Sequence, residues 1–188
     1  MAGPEIEVTK LDVAQRQLRS ALRLWFLDGD PVSIHTLLSA AHEIIHRLYR
    51  NKGLVNLMYD SDLIKDEYRG EFARRMKKAP NFFKHAAQDS RETFIFNSGI
   101  NDFLPVFLIQ GLVDMGEDLA LEERSYVYWM QLFEPHVFKS TGMLFPPDVA
   151  KNLVGVDKKE FLDACELLWA DNLLRNILTP RPSEEKGG

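Results

Sequence analysis

Two apolar ladders separated by the tetrapeptide Asp28-Gly29-Asp30-Pro31 constrain the first fifty residues of this chain to a pair of helices. Leu11, Ala14, Leu18, Leu22 and Trp25 recur every three to four residues, and so do Ile34, Leu38, Ala41, Ile45 and Leu48. That spacing draws one stripe along an α-helix; a strand, with its period of two, would scatter these residues over both faces. Thr9 followed by Asp12 predicts a capping pair ahead of a helix from Lys10 to about Leu27. Asp30 then serves as N-cap of a second helix running to about Asn51, with Pro31 in the first turn, where its missing N–H costs nothing, and Gly53 as the stop.

The same grammar continues. A third helix is expected to begin near Asp60 or Asp62, to carry Ile64, Tyr68, Phe72 and Met76 at four-residue intervals, and to end before Pro80, with "NFFKHAA" forming a further short helix. Phe94 to Phe96 is the only strand-like run, and one short strand makes no sheet. Helices follow from Asn101 to Met115 with Gly116 as stop, from Leu121 to Phe133, briefly around Asp148 to Leu153, and from a cap at Asp157 through Ala170 to Ile177. The reading is an all-α chain: an N-terminal lead over residues 1–9, a single helical-bundle-like domain of five to six main helices over 10–178, and a polar, Pro- and Gly-rich tail over 179–188 expected to be disordered.

Composition narrows the class. With 188 residues, 45% of them hydrophobic, the chain buries a sufficient core without a disulfide or a metal, and its one cysteine, Cys165, falls in an apolar helical pattern. No basic stretch followed by an apolar run marks the N-terminus, which argues against a signal peptide. The most apolar segment, "FLPVFLIQGLVDMG", is interrupted by Gln110 and Gly111 and falls short of the roughly 20 residues a membrane helix needs. A cytoplasmic protein without a membrane partner is expected. The net charge of −5 favours solubility and disfavours wholesale nucleic-acid binding, which leaves room only for a local basic cluster.

Two segments carry chemistry. "AHEIIHRL" contains His42-Glu43-x-x-His46, the spacing by which zinc peptidases bring two imidazoles to one metal beside a carboxylate that deprotonates bound water. His35, His42 and His46 share one stripe at the edge of the apolar face, where His commonly sits without binding anything. Tyr49 and Lys52 stand where a metzincin would continue, and Glu67 is the only third ligand at a plausible downstream distance. We therefore expect no metal, the alternative set being His42, His46 and Glu67 with Glu43 as base. The second segment, "RRMKKAPNFFKHA", gathers Arg74, Arg75, Lys77, Lys78, Lys84 and His85 in an otherwise acidic chain. Fixed cations beside a His suit binding, and cleaving, a phosphodiester; a run of cations at a helix end also complements the helix dipole without any ligand.

The blocks "QRQL", "DGDPVSIHTLLSAA", "IKDEYR" and "NFFKHA", in this order, resemble an uncharacterised family of small, mainly proteobacterial, all-helical proteins over Lys10 to Asp114, and more loosely beyond. "PVSIHTL", with His35, is typical of that pattern, whereas the positions of His42 and Glu43 are not fixed as His and Glu in it. The resemblance implies an all-helical fold and brings no activity with it. More distantly, the chain is similar to HEPN-like helical bundles, whose ribonucleases place Arg, four to six intervening residues and then His on one helix. Here Lys78 stands at that position relative to His85, Arg75 is too far away, and Pro80 intervenes.

Taken together, the residues do not by themselves say what the protein does. The first expectation is a non-catalytic cytosolic interaction or regulatory module, meeting a protein partner or RNA, the latter through Arg74, Arg75, Lys77, Lys78 and Lys84. The first alternative is a HEPN-like metal-independent ribonuclease using Asn81, His85 and Lys78, and the second is a zinc-dependent hydrolase built on the His42–His46 segment. No cofactor is expected, and the oligomeric state is not set by the sequence.

Overall fold

Thr9 opens the first helix as its side chain implies. Its hydroxyl oxygen accepts from the Asp12 amide at 3.1 Å, and the Asp12 carboxylate accepts in turn from the Thr9 amide at 2.9 Å. In this computed structural model, which describes residues 3–55, 57–58, 66–84, 91–134 and 155–170, the chain is all-α. The helices are α1 (Lys10–Phe26), α2 (Pro31–Asn51), α3 (Asp66–Lys84), α4 (Leu104–Asp114), α5 (Leu121–Phe133) and α6 (Lys158–Ala170), with a 3-10 turn at Ser98–Asp102 before α4. No strand occurs among the described residues, and residues 92–97 run as irregular chain. The expected helix start near Asp60 or Asp62, the short helix at Asp148–Leu153, the extension to Ile177 and the tail lie outside the described residues. No helix among the described residues is long and apolar enough to cross a membrane.

Three helices end in the same way, with a residue in the left-handed region and paired backbone bonds that close the last turn. Gly53 (φ 76°) and Gly116 (φ 82°) do this for α2 and α4, as the sequence leads one to expect. After α1, the left-handed residue is Asp28 (φ 48°) and not its neighbour Gly29, which donates to the Leu24 carbonyl at 2.8 Å. A Cβ at Gly29 would lie 3.1 Å from that same oxygen, a closer contact than side chains ordinarily make. Asp30 then caps α2, accepting from the Ser33 amide at 2.7 Å, with Pro31 in the first turn.

One expected break is absent. Helix α3 continues through Pro80 to Lys84 instead of ending before it, so "NFFK" belongs to α3 and not to a separate short helix. A proline inside a helix forfeits one hydrogen bond and crowds the preceding turn, at a cost of about 3 kcal/mol. Packing on both sides of Pro80 offsets it: Ala79 is buried, Phe82 stacks on Phe94 with centroids 5.3 Å apart, and Phe83 meets Phe96 edge-on at 5.2 Å.

The chain forms two compact units, Met1–Glu123 and Arg124–Gly188. In the first, α1 lies along α2, and α2 also packs on α4; the core is Leu18, Leu22 and Phe26 of α1, Leu38 and Ile45 of α2, and Leu108 and Leu112 of α4. Polar ties close its ends. The Trp25 indole donates to Asp102 at 2.8 Å, Lys52 donates to the Met115 carbonyl at 2.7 Å, and Arg19 and Arg23 of α1 pair with Glu123 and Glu122 at 2.9 and 2.6 Å. Glu123 is fully buried, and its carboxyl is pushed up by burial, an effect Arg19 partly reverses. In the second unit Trp129 lies against Phe133 and meets Phe161 edge-on, while Asp157 caps α6 by accepting from the Glu160 amide at 2.8 Å. Burial pushes the Cys165 thiol up to about 11, which keeps it protonated and unreactive as part of this core.

Gly111, midway along α4, marks a close approach. A Cβ at this position would lie 2.9 Å from Ile45 Cγ2 and 2.9 Å from Leu57 Cδ2. Alanine is the better helix former by about 1 kcal/mol, but overpacking against a stiff β-branched neighbour costs about 1–3 kcal/mol. Gly111→Ala is therefore expected to lower the urea midpoint of the first unit, and Gly111→Val to lower it further; an unchanged or raised midpoint in both would show that the contact yields easily.

Candidate functional site

The apolar stripe of α2 faces α1 and α4, which leaves a second edge of the helix outside the core. Ser39, His42, Glu43, His46, Arg47 and Arg50 recur along that edge at helical spacing and form one wall of a cleft of about 670 Å³. Lys77, Pro80, Asn81 and Lys84 form the other wall and belong to α3, with Asn51 at the end of α2 completing the lining. The uninterrupted course of α3 through Pro80 is what puts Lys77, Asn81 and Lys84 on one face, at i, i+4 and i+7.

The two walls run antiparallel. His35, near the start of α2, meets Phe83 edge-on at a centroid separation of 5.9 Å, while about two turns further along α2 the charge of Lys77 bears on His42. Lys84 therefore stands near the Ser39 end of the cleft, Lys77 near its middle, and Arg47 and Arg50 toward the other end. All four cations are exposed, as is Glu43, the only carboxylate among the described residues of the lining.

The three histidines of the stripe have separate fates. His35 is buried, and its Nδ1 lies 2.9 Å from Asn101 Oδ1. Asn101 Nδ2 donates to the Pro31 carbonyl at 3.0 Å, which fixes the amide orientation; its oxygen can only accept, so His35 Nδ1 carries the proton. With Phe83 and Phe96 against its ring, His35 is a structural link between the start of α2, the 3-10 turn and the end of α3. His42 is also buried, with the half-exposed His46 ring stacked 5.6 Å away. Burial first, then His46 and the Lys77 ammonium, push His42 down to about 3, so it is neutral throughout the physiological range.

For zinc, this donor set is poorly built. A cation beside His42 opposes a second positive charge, and Glu67, exposed near the start of α3, stands about 15 Å of helix away from Lys77, the residue that faces His42. Among the described residues no group of three His, Cys, Asp or Glu side chains is placed to hold a metal ion.

The basic run divides. Lys77 and Lys84 enter the cleft together with Asn81. Lys78 is exposed and directed elsewhere, its ammonium 5.5 Å from the centroid of Phe94, and Arg74 is exposed outside the lining. The Arg75 side chain and all of His85 lie outside the described residues. Arg47 and Arg50 complete the cationic lining; sequence reading treats Arg47 only as an obstacle to zinc and passes over Arg50, although their i+4 and i+7 spacing from Glu43 is legible once the α2 edge is known to face a cleft. No family model, curated protein or solved structure matches the chain.

The depressed His42 has a consequence for stability. In the unfolded chain this imidazole protonates near 6.5, in the folded one near 3, so between these values the unfolded state binds the extra proton. Its contribution is complete above about pH 6.5 and is lost as the pH falls toward 3. Between pH 7 and pH 5 the loss amounts to about 2 kcal/mol from His42 alone. His35, also pushed down by burial, adds to it, while the raised Glu123 acts in the opposite sense. Urea unfolding at both pH values is expected to show a smaller acid loss in His42→Leu than in the wild-type chain; equal losses would mean that His42 is protonated in the fold.

Proposed function

We propose that this protein is a non-catalytic RNA-contacting module that holds single-stranded RNA by its phosphodiester backbone in the cleft between α2 and α3. The observation that carries this reading is the charge of the described lining: Arg47, Arg50, Lys77 and Lys84, with Glu43 the only carboxylate among the described residues there, in a chain whose net charge is −5. Such a concentration of one sign against the trend of the chain suits a polyanion, whose condensed counterions are released on binding. The stations are spread out. Lys77 and Lys84 are about 10 Å apart along α3, and the arginines lie further toward the opposite end, an arrangement that a chain of regularly spaced charges can use and a single phosphate cannot.

Enclosure favours a single strand. A cleft of about 670 Å³ is of the size that envelops small-molecule ligands, too small to take in a duplex. Ser39, Asn51 and Asn81 add neutral donors and acceptors of the kind that serve a ribose 2′-hydroxyl. Binding without cleavage is favoured because general acid–base work wants a pKa near the operating pH, and His42 is held far below it. The HEPN-like alternative would instead rest on Asn81, Lys78 and His85, of which only Asn81 lines the cleft among the described residues, and would differ in cutting the strand.

Fluorescence anisotropy of a labelled single-stranded RNA tests this. Four phosphate contacts imply a slope of log affinity against log salt of about −2.8, a weakening of roughly 50-fold between 50 and 200 mM salt. Lys77→Ala combined with Lys84→Ala is expected to reduce the slope to about −1.4, and the RNA should be recovered intact. Absence of binding at 50 mM salt, or equal affinity for polyglutamate, would overturn the reading; cleavage lost in His85→Ala would replace it with the ribonuclease.

A further inference from the structure

Glu43 is an anomaly in a phosphate-binding surface. It lies on the cleft wall one turn from Arg47 and next to His42, whose neighbour across the cleft is Lys77. Among the described residues no hydrogen bond or ion pair engages it, so it does not serve to hold one of the cations in place. An ionised carboxylate only accepts hydrogen bonds and repels every phosphate that passes it. In a strand laid along this cleft, the groups that can face it favourably are the N–H donors of the bases.

The bases differ in what they offer a carboxylate. Guanine presents two adjacent donors, N1–H and the N2 amino group, which match the two carboxylate oxygens. Adenine and cytosine set one amino group beside an acceptor nitrogen that repels the second oxygen, and uracil sets one imino donor between two carbonyls. These edges are free only in an unpaired strand, where splayed bases are read on their Watson–Crick side and stacked on flat side chains. His46 lies beside Glu43 on the same wall, its ring half-buried and stacked on the buried His42. With Arg47 one turn from Glu43, a neighbouring phosphate can rest on a cation while one base turns toward the wall.

We propose that Glu43 is the base-selecting residue of the cleft and that it picks out guanine in single-stranded RNA, an inference that rests on the RNA-binding reading above. The test compares a uridine octamer with the same octamer carrying one central guanosine, and with one carrying inosine, which lacks the N2 amino group; all three have equal charge. With the full-length chain at 50 mM salt, the guanosine oligomer is expected to bind about tenfold more tightly than the uridine octamer, with inosine between them. In Glu43→Gln, an exposed and nearly isosteric change, the preference is expected to fall below about threefold while the uridine octamer binds as well or better, since a repulsive charge has gone. If the octamers bind the wild-type chain equally, or if Glu43→Gln keeps the tenfold ratio, the inference is overturned and the RNA reading stands. If no octamer binds, both fall.

Discussion

Helix α2 is fixed in rotation by the burial of Ile34, Leu38, Ala41, Ile45 and Tyr49 against α1 and α4, and this decides what every other residue on it can do. Each fully buried Leu or Ile contributes about 1.5–3 kcal/mol, whereas an exposed ion pair returns 0–1 kcal/mol. The apolar stripe therefore sets the orientation, and the polar residues go where it leaves them. The edge from Ser39 to Arg50 is left toward α3, and the cleft follows. His42 is carried inward by the same rotation, close enough to the core to lose its solvent and with it any titration near neutrality.

The second wall depends on a local rule being overridden. Proline at position 80 argues for a helix boundary, and a boundary there would have swung Lys84 and Asn81 away from Lys77. Aromatic packing of Phe82 and Phe83 on Phe94 and Phe96 keeps the helix whole. His35, bonded to Asn101 and edge-on to Phe83, ties that packed end of α3 to the first turn of α2, so the cleft is closed by core contacts at one end.

Much of the fold is legible in the sequence because its signals are local. Thr9 and Asp12, Asp30 and Pro31, Gly53 and Gly116 each act within one turn of helix, and the elements they bound, α1, α2 and α5 above all, fall where the residues place them. Pro80 misleads because its cost is local while its compensation comes from Phe94 and Phe96, fourteen and sixteen positions away. The cleft was illegible for a related reason. "HEIIH" and the basic run are each conspicuous, but only the antiparallel approach of α2 and α3 makes them opposite walls of one cavity, and no spacing within either segment encodes that approach. The stripe of three histidines likewise looks uniform on a helical projection; the partner Asn101, 66 residues on, is what turns His35 into a structural link.

The acidic balance of the chain, introduced above as a reason against general nucleic-acid binding, acquires a different meaning beside a basic cleft. Under the proposed RNA reading, a charged strand approaching this chain would meet its net negative charge and be drawn toward the basic cleft, so the orientation of approach would be selected before any contact forms. Encounter would then be directional, with fewer collisions spent on the wrong face. A groove of modest size would thereby gain in speed and discrimination what it lacks in contact area.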